Sequence, residues 1–176
     1  MDLCLCRTHA AFEQEGKTRI LVLDPVEIEF YDLTVKLQTK MYFEEGSSNI
    51  RIERNILEMS NPDAEVTLNE YIVACYGTTE YPEDMTGITL SVSKDGEKKD
   101  IFYEYKCREE VLAGAKCAAA VIPAIETKVS LTTDAEDGEG YIREGYAFSP
   151  MFTLGYQKKI QNKEVITTWL NLEKAN

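Results

Sequence analysis

Residues 142–156, IREGYAFSPMFTLGY, constrain the fold more than any other segment of the chain. A strand points successive side chains to opposite faces. At that period Ile142, Glu144, Tyr146, Phe148, Pro150, Phe152, Leu154 and Tyr156 share one face, and Arg143, Gly145, Ala147, Ser149, Met151, Thr153 and Gly155 share the other. One face is bulky and largely aromatic; the other is mostly small. The pattern predicts a long core strand whose aromatic face fills an interior and whose small face lets a neighbouring backbone approach. A sharper reading makes the same face the wall of a ligand cavity. Pro150 cannot donate to a ladder, so the ribbon is expected to bulge or break there. Any site on it is expected at Ser149, Pro150 and Met151. Alternating segments at 125–131 and 164–172 flank the ribbon in sequence, which predicts an interior position in a sheet.

Alternation recurs along the chain. RILVL from Arg19 is a short apolar run closed by Asp24-Pro25. Val26, Ile28 and Phe30 alternate with acids, and then the phase slips, with Leu33, Val35, Leu37, Thr39, Met41 and Phe43 carrying the face. A slip of one residue flips every side chain, so a bulge at Tyr31-Asp32 or two strands with a tight connection is required. The turn at 44–49 returns the chain through Ile50, Ile52 and Ile56 as a long hairpin. Asp95-Gly96, between Ile88-Leu90-Val92 and Ile101-Tyr103-Tyr105-Cys107, is a second hairpin, because both turn residues tolerate positive φ. Thr67 and Glu70 have capping-box spacing, Leu68, Tyr71, Ile72 and Cys75 follow at helical spacing, and Gly77 supplies a stop. Residues 67–77 are therefore expected as a short helix. Residues 108–122 read as helix or strand, ended by Pro123. Residues 1–17 form a poorly defined N-terminal segment: a short strand at Leu3 and Leu5, then a turn or helix fragment ending at Gly16.

The expected architecture is one mainly β domain spanning residues 1–176, an antiparallel barrel or sandwich of about seven to nine strands with one or two short helices. A chain of 176 residues buries roughly 70% of its extended surface on folding, so neither metal nor disulfide is needed to hold it. The five cysteines, Cys4, Cys6, Cys75, Cys107 and Cys117, are odd in number and irregular in spacing. With no basic-then-apolar leader at residues 1–16, they fit reduced thiols and a cytoplasmic location. No stretch of about 18 apolar residues predicts a membrane span. The net charge of −12, from 31 acidic and 19 basic residues, argues against nucleic acid and anionic lipid as partners.

Few catalytic parts are present. His9 is the sole imidazole, and no nucleophile elbow, Walker loop, dinucleotide fingerprint or H-E-x-x-H occurs. Cys4, Cys6 and His9 make a weak thiophilic-metal pattern lacking a fourth ligand, and no cofactor is expected. The acidic turn at 134–140 lacks calcium-loop register. Glu144 is read as a rim residue; buried on the aromatic face it would instead be an acid of raised pKa. Tyr103, Tyr105, Tyr146, Phe148, Met151, Phe152, Tyr156 and Trp169 are the candidate ligand-binding residues. The expected function is a non-catalytic binder of a small apolar ligand or a protein partner, with association between copies allowed. The alternatives are a self-assembling ring or tube subunit, an acidic inhibitor or decoy, and a small β-barrel enzyme acting through Tyr and Glu.

Overall fold

A computed structural model describes residues 8–75, 87–104, 106–146 and 149–175. Among them are fourteen strands and no helix beyond a single 3-10 turn at Pro123–Ile125. The strands are β1 (Ala10–Glu15), β2 (Thr18–Leu23), β3 (Val26–Phe30), β4 (Leu33–Glu44), β5 (Asn49–Met59), β6 (Val66–Cys75) and β7 (Thr89–Lys94), followed by β8 (Glu97–Phe102), β9 (Glu109–Ala113), β10 (Cys117–Ile122), β11 (Thr127–Thr133), β12 (Glu139–Tyr146), β13 (Ser149–Ile160) and β14 (Val165–Lys174). Ten strands form the larger sheet, in the order β1-β2-β4-β5-β14-β11-β10-β7-β8, with β3 paired to β4. The smaller sheet is β6-β13-β12-β9. All pairings are antiparallel, and the two sheets stack as a sandwich. The strand count exceeds the expected range; the all-β class stands.

The local hairpins form where their turns predict. Lys94 pairs with Glu97 around Asp95-Gly96, and Phe43 pairs with Ile50 around 44–49. The phase slip after Phe30 is a tight turn: Phe30 pairs with Leu33, and Tyr31 takes φ 51. Three expectations are corrected. The helix expected over 67–77 is not formed in its described part: Val66–Cys75 is strand β6, paired residue by residue with β13, and residues 76–77 lie outside the described residues. Its inward set Val66, Leu68 and Glu70 also has period two, and Glu70 bonds Arg54 instead of capping a backbone N–H. Residues 10–15, expected as turn or helix fragment, are β1, paired with β2. The 142–156 ribbon is not one strand but the hairpin β12–β13, with Ile142 opposite Leu154 and Glu144 opposite Phe152. Its neighbours are β6 and β9, whereas β11 and β14 pair with each other in the larger sheet. Residues 108–122 are β9 and β10.

Where its side chains are described, the bulky face of the ribbon is buried. Ile142, Phe152 and Leu154 join Leu90, Val92, Ile101, Ala118 and Ala120 in one apolar cluster. A second, around Ile28, Leu37, Ile56, Ile160 and Ile166, lies further along β13. Tyr156 and Lys158 sit between them on that strand. The Tyr156 phenol donates to the Asp137 carbonyl, and the Lys158 ammonium pairs with Asp137 and Glu164. Burial pulls the Lys158 pKa down, but its two carboxylate partners outweigh it and leave the group above its ordinary value.

Candidate functional site

Cross-strand pairing specifies which side chains share the face of the larger sheet that points away from the smaller one. Tyr42 on β4 lies opposite Arg51 on β5, and Arg51 lies opposite Trp169 on β14. Trp169 is followed across the sheet by Thr132 on β11 and Cys117 on β10. The next row reads Asn171, Ser130, Ala119. Ile20, opposite Tyr42, belongs to the same face. An outer face is ordinarily solvated, yet Ile20 is 3%, Ala119 4% and Ser130 3% exposed. They form a floor beneath taller neighbours, so this face is a trough rather than a flat plane. A hollow of about 310 Å³ opens at its Trp169 end, lined by Tyr42, Arg51, Trp169, Asn49, Thr18 and others.

The polar groups beside Trp169 are held in place. The Arg51 guanidinium carbon lies 3.7 Å from the centre of the Tyr42 ring, and Arg51 Nη1 lies 3.0 Å from Glu53. The Tyr42 phenol donates to Glu53 Oε2 at 2.6 Å. Burial, then the bond to Glu53, raises the Tyr42 pKa to about 12, so the phenol keeps its proton as a donor. The Asn171 amide donates to Thr132 Oγ1 at 3.2 Å and to Ser130 Oγ at 3.4 Å. An indole, a stacked guanidinium, a carboxylate and an amide thus share the outer face of the larger sheet. Planar polar groups beside an aromatic ring match a ligand with both C–H faces and hydroxyl edges.

A larger cleft of about 720 Å³ lies between the free edges of β3 and β6. Its lining is mainly aliphatic, from Ile28, Val35, Leu37, Val66, Leu68 and Ile160. Its charged members, Arg54 and Glu70, are closed on each other by two hydrogen bonds of 2.8 and 2.7 Å. It is the open side of the sandwich, and it offers a polar ligand little that is not already paired.

The sequence-derived candidates are dispersed. Tyr103 and Phe152 meet in the core cluster, and Tyr156 is buried further along β13. Met151 is half-buried at the start of β13. Trp169 stands apart on the outer face of the other sheet. Tyr105 and Phe148 lie outside the described residues, as do Cys4 and Cys6; of Tyr146 only the pairing with Ser149 is described. His9 is exposed just before β1. Glu144 is neither at the rim nor raised in pKa. It is fully buried, and accepts from Arg108 Nε at 2.5 Å and from the Glu104 and Lys106 N–H groups at 2.6 and 3.3 Å. Burial pushes its pKa up, but these donors outweigh that and hold it below the ordinary carboxylate range. Tyr42, Arg51 and Glu53 are absent from the sequence candidates. The 44–49 turn already sets Tyr42 opposite Arg51; their meeting with Trp169 depends on a pairing more than a hundred residues distant in sequence.

No protein-family model matches the sequence, and no curated protein matches it. Solved structures share the fold. One, described as "putative aldose 1-epimerase" from Escherichia coli K12, superposes with a TM-score of 0.62 at 10% identity, covering 97% of this chain and 69% of its own. A second with that description, from Klebsiella pneumoniae, gives 0.57 at 9%, covering 96% and 54%. A protein of Synechocystis sp. PCC 6803 gives 0.54 at 11%, covering 96% and 65%. This chain thus spans between about half and about two thirds of these proteins. The shared fold runs against the expected non-catalytic binder of an apolar ligand or protein partner, and against the ring-subunit and inhibitor alternatives. The physical counterpart lies on the ribbon, where Phe152 and Tyr156 are buried and not exposed to a ligand.

Proposed function

We propose that the protein binds a carbohydrate on the outer face of its larger sheet, beside Trp169. The observation that carries this reading is Arg51, stacked on Tyr42 and paired with Glu53 opposite Trp169 on the outer face of the larger sheet. A sugar ring presents apolar C–H faces and a rim of hydroxyls that both donate and accept. Trp169 supplies the flat surface, Arg51 donates and Glu53 accepts. The likeness in fold to proteins described as aldose 1-epimerases supports the same ligand class.

Trp169 is the only tryptophan, so its emission reports the site directly. Titration with glucose, galactose, mannose and xylose is expected to shift that emission saturably for at least one sugar. Arg51→Ala is expected to weaken the response tenfold or more, as loss of a charged hydrogen-bond partner costs about 1.5–3 kcal/mol. A flat response to every sugar, from a protein with native circular dichroism, sinks the reading.

A second reading is that the bound sugar is also interconverted between anomers. It is favoured by the Tyr42–Glu53 contact, a proton donor and a carboxylate 2.6 Å apart on this face. Polarimetry of freshly dissolved sugar tests it: acceleration by the protein is expected to fall in Tyr42→Phe and in Glu53→Gln. A rate equal to the buffer rate excludes it.

A further inference from the structure

We infer, resting on the carbohydrate reading above, that the ligand is a chain of sugars laid diagonally across the sheet and not a single ring. The outer face has a second exposed aromatic. Phe102, at the end of β8, is 56% exposed, and its neighbour Ile101 points into the core. Register places it on the same face as Trp169: Phe102 lies opposite Thr89, Thr89 opposite Val121, Val121 opposite Lys128, and Lys128 opposite Glu173. Trp169 begins the row through Thr132, Cys117, Ser93 and Lys98. The two aromatics therefore occupy opposite corners of a patch five strands wide. Four inter-strand spacings give about 19 Å and four residues along a strand about 13 Å, a diagonal of roughly 23 Å.

The centre of that diagonal is Ala119, one of the sunken floor residues. The hydroxyls of Ser130 and Ser91 flank it in the same row. Both ends carry an aromatic side chain: Trp169 lies beside the Arg51–Glu53 pair at 3.0 Å, and Phe102 ends the strand that also bears the Lys98–Asp100 pair at 2.9 Å. A single sugar ring covers one such end. Two similar ends joined by a low, hydroxyl-bearing centre suit a ligand several rings long, whose terminal units meet the aromatics and whose middle lies over Ala119.

The test is the dependence of affinity on chain length, read from Trp169 emission with malto- and cello-oligosaccharides from the monosaccharide to the pentasaccharide. Affinity is expected to rise tenfold or more along one series and then level off. Phe102→Ala, at an exposed edge position, is expected to abolish that rise and leave monosaccharide affinity unchanged. Ala119→Arg, which blocks the midpoint, is expected to return the longer chains to the monosaccharide level. Monosaccharide binding with no gain on lengthening overturns the inference and leaves the carbohydrate reading standing. A gain that survives Phe102→Ala also overturns it. Failure of every sugar, short or long, removes both.

Discussion

At the scale of single residues, the most informative side chain is one whose type foretold nothing of its role. Glu144 alternates correctly with Ile142 and so points inward, where a carboxylate is costly unless paired. Arg108 and two backbone N–H groups compensate it, tying the segment before β9 to β12. Its folded pKa lies below the unfolded value of about 4.3. Its stabilisation is therefore present above that value and lost as pH falls through the folded pKa. Glu144→Gln is expected to cost about 2 kcal/mol at pH 7, and progressively less as pH falls below the unfolded value, measured by urea unfolding across that range. Arg108 keeps contact with water, which holds the figure under that of a fully buried pair. Gly155 is a second case. A Cβ there would collide with the Tyr141 ring, which crosses the strand to bond Asn69 at 2.9 Å. Gly155→Ala is expected to lose about 1–3 kcal/mol. Combining it with Tyr141→Ala should cost less than the sum of the two, since both act on one contact. The small face of the ribbon was legible in the sequence as a place of close approach; that a tyrosine ring fills it was not.

At the scale of elements, hairpins were legible and the supposed helix was not. Asp95-Gly96 and the 44–49 turn act between neighbours in sequence, so local chemistry decides them. Residues 66–75 satisfy both a helical and a strand period, and a distant partner arbitrates. The β13 ladder takes the whole segment, and Arg54, from the opposite sheet, takes the Glu70 carboxylate that a capping box would have used. That pair bridges the sheets with both side chains largely buried, at 14% and 10% exposure. Arg54→Ala is expected to cost about 3–5 kcal/mol, because it strands Glu70. The joint replacement Arg54→Met with Glu70→Leu is expected to be close to neutral. Urea midpoints of the three proteins compare the two outcomes; equal losses in the single and double variants would contradict this account.

At the scale of the whole molecule, the order of strands carries the consequence. Strand β14 is inserted between β5 and β11, and β6 pairs with β13, so the core closes only when distant segments meet. Such topologies fold in about milliseconds to seconds. Stopped-flow refolding followed through Trp169 should fall in that range, and far-ultraviolet circular dichroism should show a β spectrum without the helical double minimum. Microsecond refolding or a helical spectrum would contradict the fold. The candidate site has the same dependence. Tyr42 and Arg51 are hairpin neighbours, but Trp169 and Asn171 join them only through the β5–β14 and β14–β11 ladders.

The sequence by itself determined the class of fold, the positions of the tight turns and the inward face of the ribbon. Each follows from period-two alternation and turn chemistry acting over a few residues. Only the tertiary structure decided that the ribbon is a hairpin in the smaller sheet, that residues 66–75 extend, and that Trp169 stands beside Arg51. Those outcomes rest on which strands pair across long loops, and alternation that suits one partner strand suits many others equally well.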